Sequence, residues 1–157
     1  MAPVFPSALE FHSLLVGDGD QACRFARALA ESLPVPSPSQ AAEIIEICER
    51  GGVRCKSFPD TSAPTLRLPH FTAHPIGIFG GGTDGFPGEF KLASYGVLLF
   101  RDIDCFRPEV VAEIATRLAQ PQSVSFPRVL IHASTVARIP AAISSLGLQS
   151  INLAEAG

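Results

Sequence analysis

Residues Pro69–Phe106 read PHFTAHPIGIFGGGTDGFPGEFKLASYGVLLFRDIDCF, and they give the clearest indication of the fold. A triple glycine, Gly80–Gly82, leads through a Pro-Gly turn at Pro87 and Gly88 into the apolar run Gly96–Phe100, and charged residues follow at once. That order is typical of a buried parallel strand that delivers carboxylates to the C-terminal edge of a sheet. Because ligands of open α/β sheets bind at that edge, we expect any functional site to lie there.

Strand and helix patterns alternate on both sides of this stretch. The predicted strands are Phe11–Val16, Gly96–Phe100, Val129–Ala133 and Leu148–Leu153. The predicted helices are Asp20–Leu33 with Asp20 as its N-cap, Gln40–Arg50 capped by Ser37 or Ser39, Pro108–Leu118 and Ala141–Leu146. In the second helix the residues predicted to face inward are Ala42, Ile44, Ile45 and Ile47. A Pro/Ser/Thr-rich segment, Cys55–Leu68, is predicted to form a surface loop. This alternation predicts an α/β fold with helices on both faces of a parallel sheet.

Composition narrows the class of protein. The chain of 157 residues is 46% hydrophobic and 17% charged, which indicates one ordered globular domain over residues 1–157. A net charge of −3 gives no basic surface for direct nucleic-acid binding. No apolar run is long enough to cross a bilayer and no signal pattern opens the chain, so we expect a cytoplasmic protein. The four cysteines lack CxxC spacing, and we expect them to be reduced.

The order of several segments resembles a known family. These segments are FHSLLVGDGD, RFARAL, LPVPS, AAEIIEI, LPHFT, IGIFGGG, PGEFKLASYGVLLF and SFPRV, which together span about Phe11–Pro127. They are similar to the ATPase subunit of magnesium chelatase, and look closest to the competence-associated, magnesium-chelatase-like proteins of bacteria. The resemblance implies a three-layer P-loop NTPase core of the AAA+ type, ring assembly, and ATP hydrolysis coupled to partner remodelling or DNA translocation. Since the chain stops near Gly157, we expect it to lack the helical lid of AAA+ proteins.

The phosphate-binding loop implied by this resemblance lacks its working residues. A functional loop reads G-x-x-x-x-G-K-[ST], in which lysine reaches the phosphates and a hydroxyl binds Mg²⁺. Registered on the following helix, Ala22 takes the lysine position and Cys23 the Ser/Thr position, and the loop is one residue short. Counted forward from Gly17 through Gly19, the lysine position falls on Cys23 instead. Neither register supplies a lysine, and Arg24 is the only cation nearby.

The metal-binding half of the implied site is also altered. At the end of the GVLLF strand the family carries an aspartate for the Mg²⁺ shell and then a glutamate that activates water, and these positions are Arg101 and Asp102 here. A guanidinium cannot replace an oxygen ligand of Mg²⁺. Asp102 is one methylene shorter than glutamate, which would misplace its carboxylate by roughly 1 Å and cost about 10²-fold in rate. The family's polar sensor, an asparagine, has no counterpart in His132–Thr135.

Other side chains have competing interpretations. His70 and His74 lack a third ligand, so a structural role is favoured over a metal site, and no metal is expected. For His12 and His132, a hydrogen-bonded core or edge histidine is favoured over a base. The pair Asp102 and Asp104 is read as loop-capping or solvated rather than as an acid/base pair. The triple glycine is a tight turn or flexible loop, or else a backbone cradle for an anion. Arg101 either binds a phosphate or forms a buried ion pair with Asp102 or Asp20.

Two functions follow from these readings. The first is a pseudo-ATPase that needs no cofactor and acts by contact with a protein partner or a homologous AAA+ subunit, with oligomers as one form of that contact. The second is an ATP-binding or ATP-hydrolysing subunit that uses ATP and Mg²⁺, with a cation from Arg24 or a neighbouring protomer in place of the lysine. The first is favoured, because Gly17, Gly19, Ala22, Cys23 and Arg24 form only a vestigial phosphate loop and Arg101 and Asp102 a vestigial metal site.

Overall fold

Five parallel strands form the centre of the molecule. The structure is a computed structural model, and it describes residues 12–53 and 65–156. The strands are β1 (Ser13–Val16), β2 (Leu66–Arg67), β3 (Val97–Phe100), β4 (Arg128–Ala133) and β5 (Gln149–Asn152). They lie in the order β2-β3-β4-β1-β5, and every neighbouring pair is parallel. The predicted parallel sheet is therefore confirmed.

Helices cover both faces of this sheet. They are α1 (Gly19–Ser32), α2 (Pro38–Arg50), α3 (Pro75–Phe79), α4 (Gly88–Leu92), α5 (Pro108–Ala119) and α6 (Ala141–Ser144), with 3₁₀ turns at Ile103–Cys105 and Val136–Arg138. No helical lid follows β5 within residues 12–53 and 65–156. In the same ranges, none of the helices has the length and apolarity that a bilayer crossing requires.

Alternate residues of each strand divide the core into two layers. On one face Leu15, Leu99 and Leu130 pack against the apolar side of α1. The opposite face packs against α3, α4, α5 and α6, and its buried residues include Leu98, Phe100, Val129, Ile131, Phe90, Val110, Ile114 and Ile143. Because side chains alternate across a strand, β1, β3 and β4 each supply apolar side chains to both layers. The three-layer arrangement follows directly.

Helix α2 begins two residues earlier than the pattern predicts. Ser37 is its N-cap, and Ser37 and Gln40 form a reciprocal capping box, with Pro38 at the first helical position. Its buried residues are Ala41, Ile44, Ile47 and Cys48. The predicted inward residue Ala42 is wrong, since it is exposed, and Ile45 is only half-buried. The buried stripe runs at i, i+3, i+6 and i+7, which places Ala41 rather than Ala42 on the inner face.

Part of the segment predicted as a surface loop is a strand. Leu66 and Arg67 form β2 at the edge of the sheet, while residues 55–64 of that prediction lie outside the described ranges. Arg67 donates two parallel hydrogen bonds to the carboxylate of Glu89, at 2.7 and 2.8 Å. This fork joins the short edge strand to α4. A strand of two residues is too short to show the alternation of apolar and polar residues from which strands are predicted.

The Pro-Gly pair predicted as a turn begins a helix. Gly88 opens α4 with φ of 76°, and a Cβ at that residue would lie 2.3 Å from the Gly80 backbone nitrogen. The start of α4 thus packs directly on the end of α3, which only glycine permits. Between them, Gly81 and Phe86 exchange two backbone hydrogen bonds of 2.9 and 3.1 Å. The triple glycine is therefore a tight turn, one of the two predicted structural alternatives.

The cysteines do not all match the prediction. Cys23 and Cys105 are free, as expected. Cys48, however, is disulfide-bonded, and Cys55 lies outside the described residues. The expectation of four reduced thiols is therefore wrong at Cys48. The absence of a CxxC spacing does not exclude a disulfide, because pairing depends on the distance between two cysteines in space and not on their spacing in sequence.

Candidate functional site

The connection between β1 and α1 is too short to form a phosphate-binding loop. β1 ends at Val16 and α1 begins at Gly19, so Gly17 and Asp18 alone connect them. A phosphate-binding loop needs several non-helical residues to surround the phosphates before its helix begins. Here the residues that would surround them, Gly19–Gln21, already form the first turn of α1.

Asp18 is the N-cap of α1. Its carboxylate oxygen Oδ1 accepts hydrogen bonds from the backbone N–H groups of Asp20 and Gln21, both at 3.0 Å. The predicted cap, Asp20, is wrong. Asp18 has the extended backbone of an N-cap, with φ of −67° and ψ of 135°, while Asp20 is already helical. Amides at a helix N-terminus that could bind a phosphate are thus occupied by a carboxylate of the same chain.

The remaining residues of the vestigial loop point in different directions. Ala22, at the predicted lysine position, is fully buried in the core layer beneath α1. Cys23 is half-buried, and its Sγ lies 3.7 Å from Arg101 Nη1. Arg24 is exposed and makes no ion pair within the described part of the chain. The three side chains therefore do not converge on one point, as the lysine and hydroxyl of a working loop must.

Arg101 extends from the end of β3 across the first turn of α1. A Cβ built on Gly19 would lie 2.5 Å from Arg101 Nε and 2.8 Å from Cζ, so the guanidinium rests directly on this glycine. Arg101 contacts both predicted partners: Nη1 lies 3.3 Å from Asp20 Oδ1, and Nε lies 3.6 Å from Asp102 Oδ2. The expectation that these pairs are buried is wrong, because 43% of the Arg101 side chain and 75% of that of Asp20 are exposed.

His132 links the ends of three neighbouring strands. Its Nδ1 accepts a 3.1 Å hydrogen bond from the Asp102 N–H, which requires Nε2 to carry the proton and donate to the Gly17 carbonyl at 2.8 Å. The ring is fully buried in β4, between β1 and β3. Asp102 is held in the left-handed region, with φ of 55°, a strained conformation for a residue other than glycine. The prediction of a hydrogen-bonded core histidine is confirmed.

The other predicted acid and histidines have structural partners. Asp104 pairs with Arg138 at 3.0 Å, so the two acids after β3 are engaged by different arginines. His74 caps α3 by accepting from the Ile76 N–H, and His70 bonds Thr72. No group of three potential metal-ligating side chains occurs in the described ranges. The structural reading of both histidines is supported by their hydrogen bonds to Ile76 and Thr72.

His12 lies at the opposite end of the sheet, just before β1. Its Nδ1 accepts from the Val129 N–H at 2.9 Å, and Nε2 bonds Gln122 Oε1 at 2.5 Å. Burial lowers the pKa of His12, opposed by the Gln122 hydrogen bond and assisted by the charge of Arg128. Both ring nitrogens of His12 are therefore hydrogen-bonded, and one of these bonds joins the start of β1 to β4. This agrees with the prediction of a hydrogen-bonded core or edge histidine.

The residues of the vestigial site do not fit ATP and Mg²⁺. The helix-terminal amides are bonded to Asp18, the space above Gly19 holds the Arg101 guanidinium, and Asp18 and Asp20 add negative charge. A triphosphate needs free amides and a cation, and Mg²⁺ needs oxygen ligands rather than a guanidinium. The group of residues around Arg101 instead joins the end of β3 to the first turn of α1.

Sequence reasoning found the residues around Arg101 but missed the role of His132. A buried histidine in the penultimate position of a strand is a weak signal, because its bonds depend on the neighbouring strands. It also missed that two basic residues from different helices, Arg50 and Lys91, line one cavity. Nothing in their sequence spacing brings them together, and they meet only through the packing of α2 on α4.

Comparison with known proteins places this geometry in context. The family model described as magnesium chelatase, subunit ChlI, matches residues 7–146. No curated protein matches the chain. Among solved structures, NtrX from Brucella abortus in complex with ATP has a TM-score of 0.59 at 12% sequence identity, over 97% of this chain and 34% of that chain. The chain thus spans about a third of NtrX. At that identity the likeness shows the fold alone.

Proposed function

The chain belongs to the magnesium chelatase subunit ChlI family and has its AAA+ type P-loop fold, and from this premise we propose that it is a pseudo-ATPase. In this proposal the domain neither binds nor hydrolyses ATP. It acts instead by contact with a protein partner, for example a homologous AAA+ subunit that retains its catalytic residues. Gly17, Gly19, Ala22, Cys23 and Arg24 are then remnants of the phosphate loop, and Arg101 and Asp102 of the metal site.

The observation that carries the proposal is the state of the β1–α1 connection. Only Gly17 and Asp18 lie between β1 and α1, and the Asp18 carboxylate accepts hydrogen bonds from two N–H groups of the first turn of α1. A helix N-terminus attracts one anion through its amides and its dipole, and a second anion at the same place would meet the charge of the first. Binding of a triphosphate would therefore require the cap to break and the first turn of α1 to unwind.

Arg101 supports the same conclusion from the other side of the site. Arg101 occupies the position where catalysis would require a metal-binding aspartate. Its guanidinium instead bridges Asp20 on α1 and Asp102 after β3. The two half-exposed ion pairs contribute little to stability individually, on the order of 0.2–1 kcal/mol for exposed pairs. Their consequence is geometric, since they hold the space above Gly19 closed to a phosphate.

The competing function is an ATP-binding or ATP-hydrolysing subunit. One observation favours it: Arg24 is exposed, lies within the first two turns of α1, and makes no ion pair in the described ranges. The solved relative NtrX was also captured in complex with ATP. In this alternative Arg24 would supply the cation that the loop lacks. Mg²⁺ would still lack an oxygen ligand in this alternative, because Arg101 stands where the metal-binding aspartate is needed.

Isothermal titration of the chain with ATP and Mg²⁺ tests the proposal, with phosphate release measured on the same sample. NtrX from Brucella abortus serves as the positive control for nucleotide binding. We expect no saturable heat and no phosphate release above the rate of buffer alone. Binding with a micromolar Kd, together with hydrolysis, would reject the pseudo-ATPase. If such binding disappears in Arg24→Ala but persists in the matched variant Arg27→Ala, the competing function is correct.

A further inference from the structure

A cavity at the meeting point of three elements shares no residue with the vestigial nucleotide site. It has a volume of about 240 Å³ and lies where the end of α2, the glycine turn and α4 meet. Its lining residues are Arg50, Phe79, Gly80, Gly81, Gly85, Phe86, Pro87 and Lys91. Pockets for drug-sized ligands occupy roughly 300–1,000 Å³. This cavity is therefore below the usual size for a nucleotide and large enough for one amino-acid side chain.

Two cations give the cavity its charge. Among residues 12–53 and 65–156, the ion-pair partner of Arg50 is Glu46, at 2.8 Å and one helical turn away, in a solvent-exposed pair. Lys91 is exposed and makes no ion pair among the residues that the structure describes. An exposed pair such as Arg50–Glu46 is weak enough for its arginine to exchange partners. Both cations are therefore available to an incoming anion, although the chain as a whole carries a net charge of −3.

Four backbone N–H groups of the glycine turn are already hydrogen-bonded. The N–H groups of Gly81 and Phe86 bond each other's carbonyls, Gly80 N–H donates to Ile76, and Gly85 N–H donates to Gly82. The hypothesis that the glycines cradle an anion with their amides is therefore not supported at these residues. The ligand-binding groups of the cavity are side chains, namely the two cations and the rings of Phe79 and Phe86.

Exposed apolar side chains border the same turn. Ile76 is 42% exposed, and a Cβ at Gly82 would lie 3.8 Å from it. Phe79 and Phe86, which line the cavity, are only half-buried. Aromatic residues and arginine are enriched at protein interfaces, where an apolar centre is combined with a few directed polar contacts. The turn therefore combines the apolar and cationic groups that a protein ligand would contact.

We propose that this surface, from Ile76 to Lys91 with Arg50, docks a segment of a protein partner in which an acidic side chain stands between apolar ones. The partner's carboxylate enters the cavity between Arg50 and Lys91, and its apolar neighbours cover the exposed residues beside the turn. Charge complementarity selects the acidic residue, because arginine and lysine both donate to carboxylates. The proposal rests on the proposed function, in which the domain works by protein contact, and it identifies where that contact occurs.

NMR titration of the ¹⁵N-labelled full chain tests this docking surface. The probe is the acetylated peptide LFELF, the matched control peptide is LFQLF, and a third titration uses inorganic phosphate. We expect saturable shifts of the Gly81, Gly85 and Phe86 amides with LFELF, and about tenfold weaker binding of LFQLF, as expected when two exposed ion pairs are lost. Phosphate, which has no apolar part, should bind more weakly than LFELF.

Two double variants complete the experiment. Arg50→Gln with Lys91→Gln should weaken LFELF binding by about tenfold while retaining the dispersed spectrum of a folded protein. Arg27→Gln with Arg107→Gln removes two exposed arginines elsewhere and should leave the affinity unchanged. The proposal is overturned by equal affinities for the two peptides, by equal effects of the two double variants, by tighter binding of phosphate, or by no saturable shift. None of these outcomes depends on Asp18 or Arg101, so the ATP titration remains a separate test.

Discussion

Asp18 does at the start of α1 what a bound anion does at the helix N-terminus of a nucleotide-binding loop. Its carboxylate satisfies the N–H groups of Asp20 and Gln21, and its negative charge lies at the positive end of the helix dipole. One residue therefore both stabilises the helix and takes the place of a ligand. Asp18 can cap the helix because its backbone is extended. Asp20, two positions later, carries the same carboxylate but is already helical and caps nothing.

Asp18→Ala should destabilise the domain by about 1 kcal/mol, the usual cost of removing an N-cap. Asp18→Asn retains an acceptor oxygen and should cost much less. Urea unfolding followed by circular dichroism measures both changes. Asp84→Ala, which removes an exposed aspartate from the glycine turn, is the control and should stay within about 0.5 kcal/mol. An Asp18→Ala effect no larger than that of Asp84→Ala would contradict the cap.

Tyr95 provides a pH-dependent signal that belongs to one residue. Its hydroxyl donates to Glu43 at 2.5 Å, and this hydrogen bond, with smaller effects of burial and of the Glu43 charge, raises the pKa of Tyr95 above its ordinary value of 10.0. The neutral phenol is favoured in the folded state. The stabilisation of the folded state by the Tyr95–Glu43 hydrogen bond is therefore complete below pH 10.0, and it is lost as pH rises through the folded-state pKa of Tyr95.

Ultraviolet absorbance of the phenolate measures this pKa directly, because the chain contains one tyrosine and no tryptophan. We expect the titration midpoint of the folded protein to lie above 10.0 and to return toward that value in Glu43→Gln. Glu46→Gln, on the same helix but paired with Arg50, should leave the midpoint unchanged. The same midpoint in all three proteins would show that Glu43 does not accept the hydrogen bond.

At the scale of whole elements, His132 connects β1, β3 and β4. His132→Leu would fill most of the buried volume but leave the Asp102 N–H and the Gly17 carbonyl without their partner. Each unsatisfied buried group costs about 1–3 kcal/mol, so we expect a total loss of about 2–6 kcal/mol in urea unfolding. His132→Gln can restore one of the two bonds and should cost less. Equal stability of the leucine variant and the natural chain would contradict this linkage.

Elements with a strong internal pattern could be predicted from the sequence. β1, β3 and β4, and the helices α1 and α5, follow from apolar runs and helical spacing. β2 could not, because two residues carry no period, and α4 could not, because Gly88 opens a helix only through its close approach to Gly80. The disulfide at Cys48 has no signal in cysteine spacing. These elements depend on tertiary contacts rather than on local pattern.

The residues that make up the candidate site could be predicted from the sequence, but the residue that caps α1 could not. The missing lysine and the arginine at the end of β3 are visible in sequence, as is the choice of Asp20 and Asp102 as partners of Arg101. Which aspartate of Gly17-Asp18-Gly19-Asp20 caps the helix is not visible, since both residues have the right chemistry. Backbone conformation decides between them, and that conformation is set by where β1 ends.

At the scale of the whole molecule, the proposed pseudo-ATPase predicts that the stability of the fold does not depend on a nucleotide. A ligand that binds only the folded state raises stability by about 2.7 kcal/mol at a hundredfold excess over its Kd. We therefore expect the melting temperature of this chain to be the same with and without ATP and Mg²⁺. Differential scanning calorimetry provides the measurement, with Mg²⁺ alone as control. A rise of several degrees that requires ATP would contradict the proposed pseudo-ATPase.

The most direct test of the central claim monitors the Asp20 and Gln21 amides themselves. A ¹⁵N NMR spectrum of the full chain, recorded while ATP and Mg²⁺ are added, reports whether these two N–H groups exchange the Asp18 carboxylate for a phosphate. We predict that both resonances keep their positions through the titration, because the helix N-terminus is already occupied. Saturable displacement of both resonances by ATP would show that a nucleotide displaces Asp18 and would contradict the account.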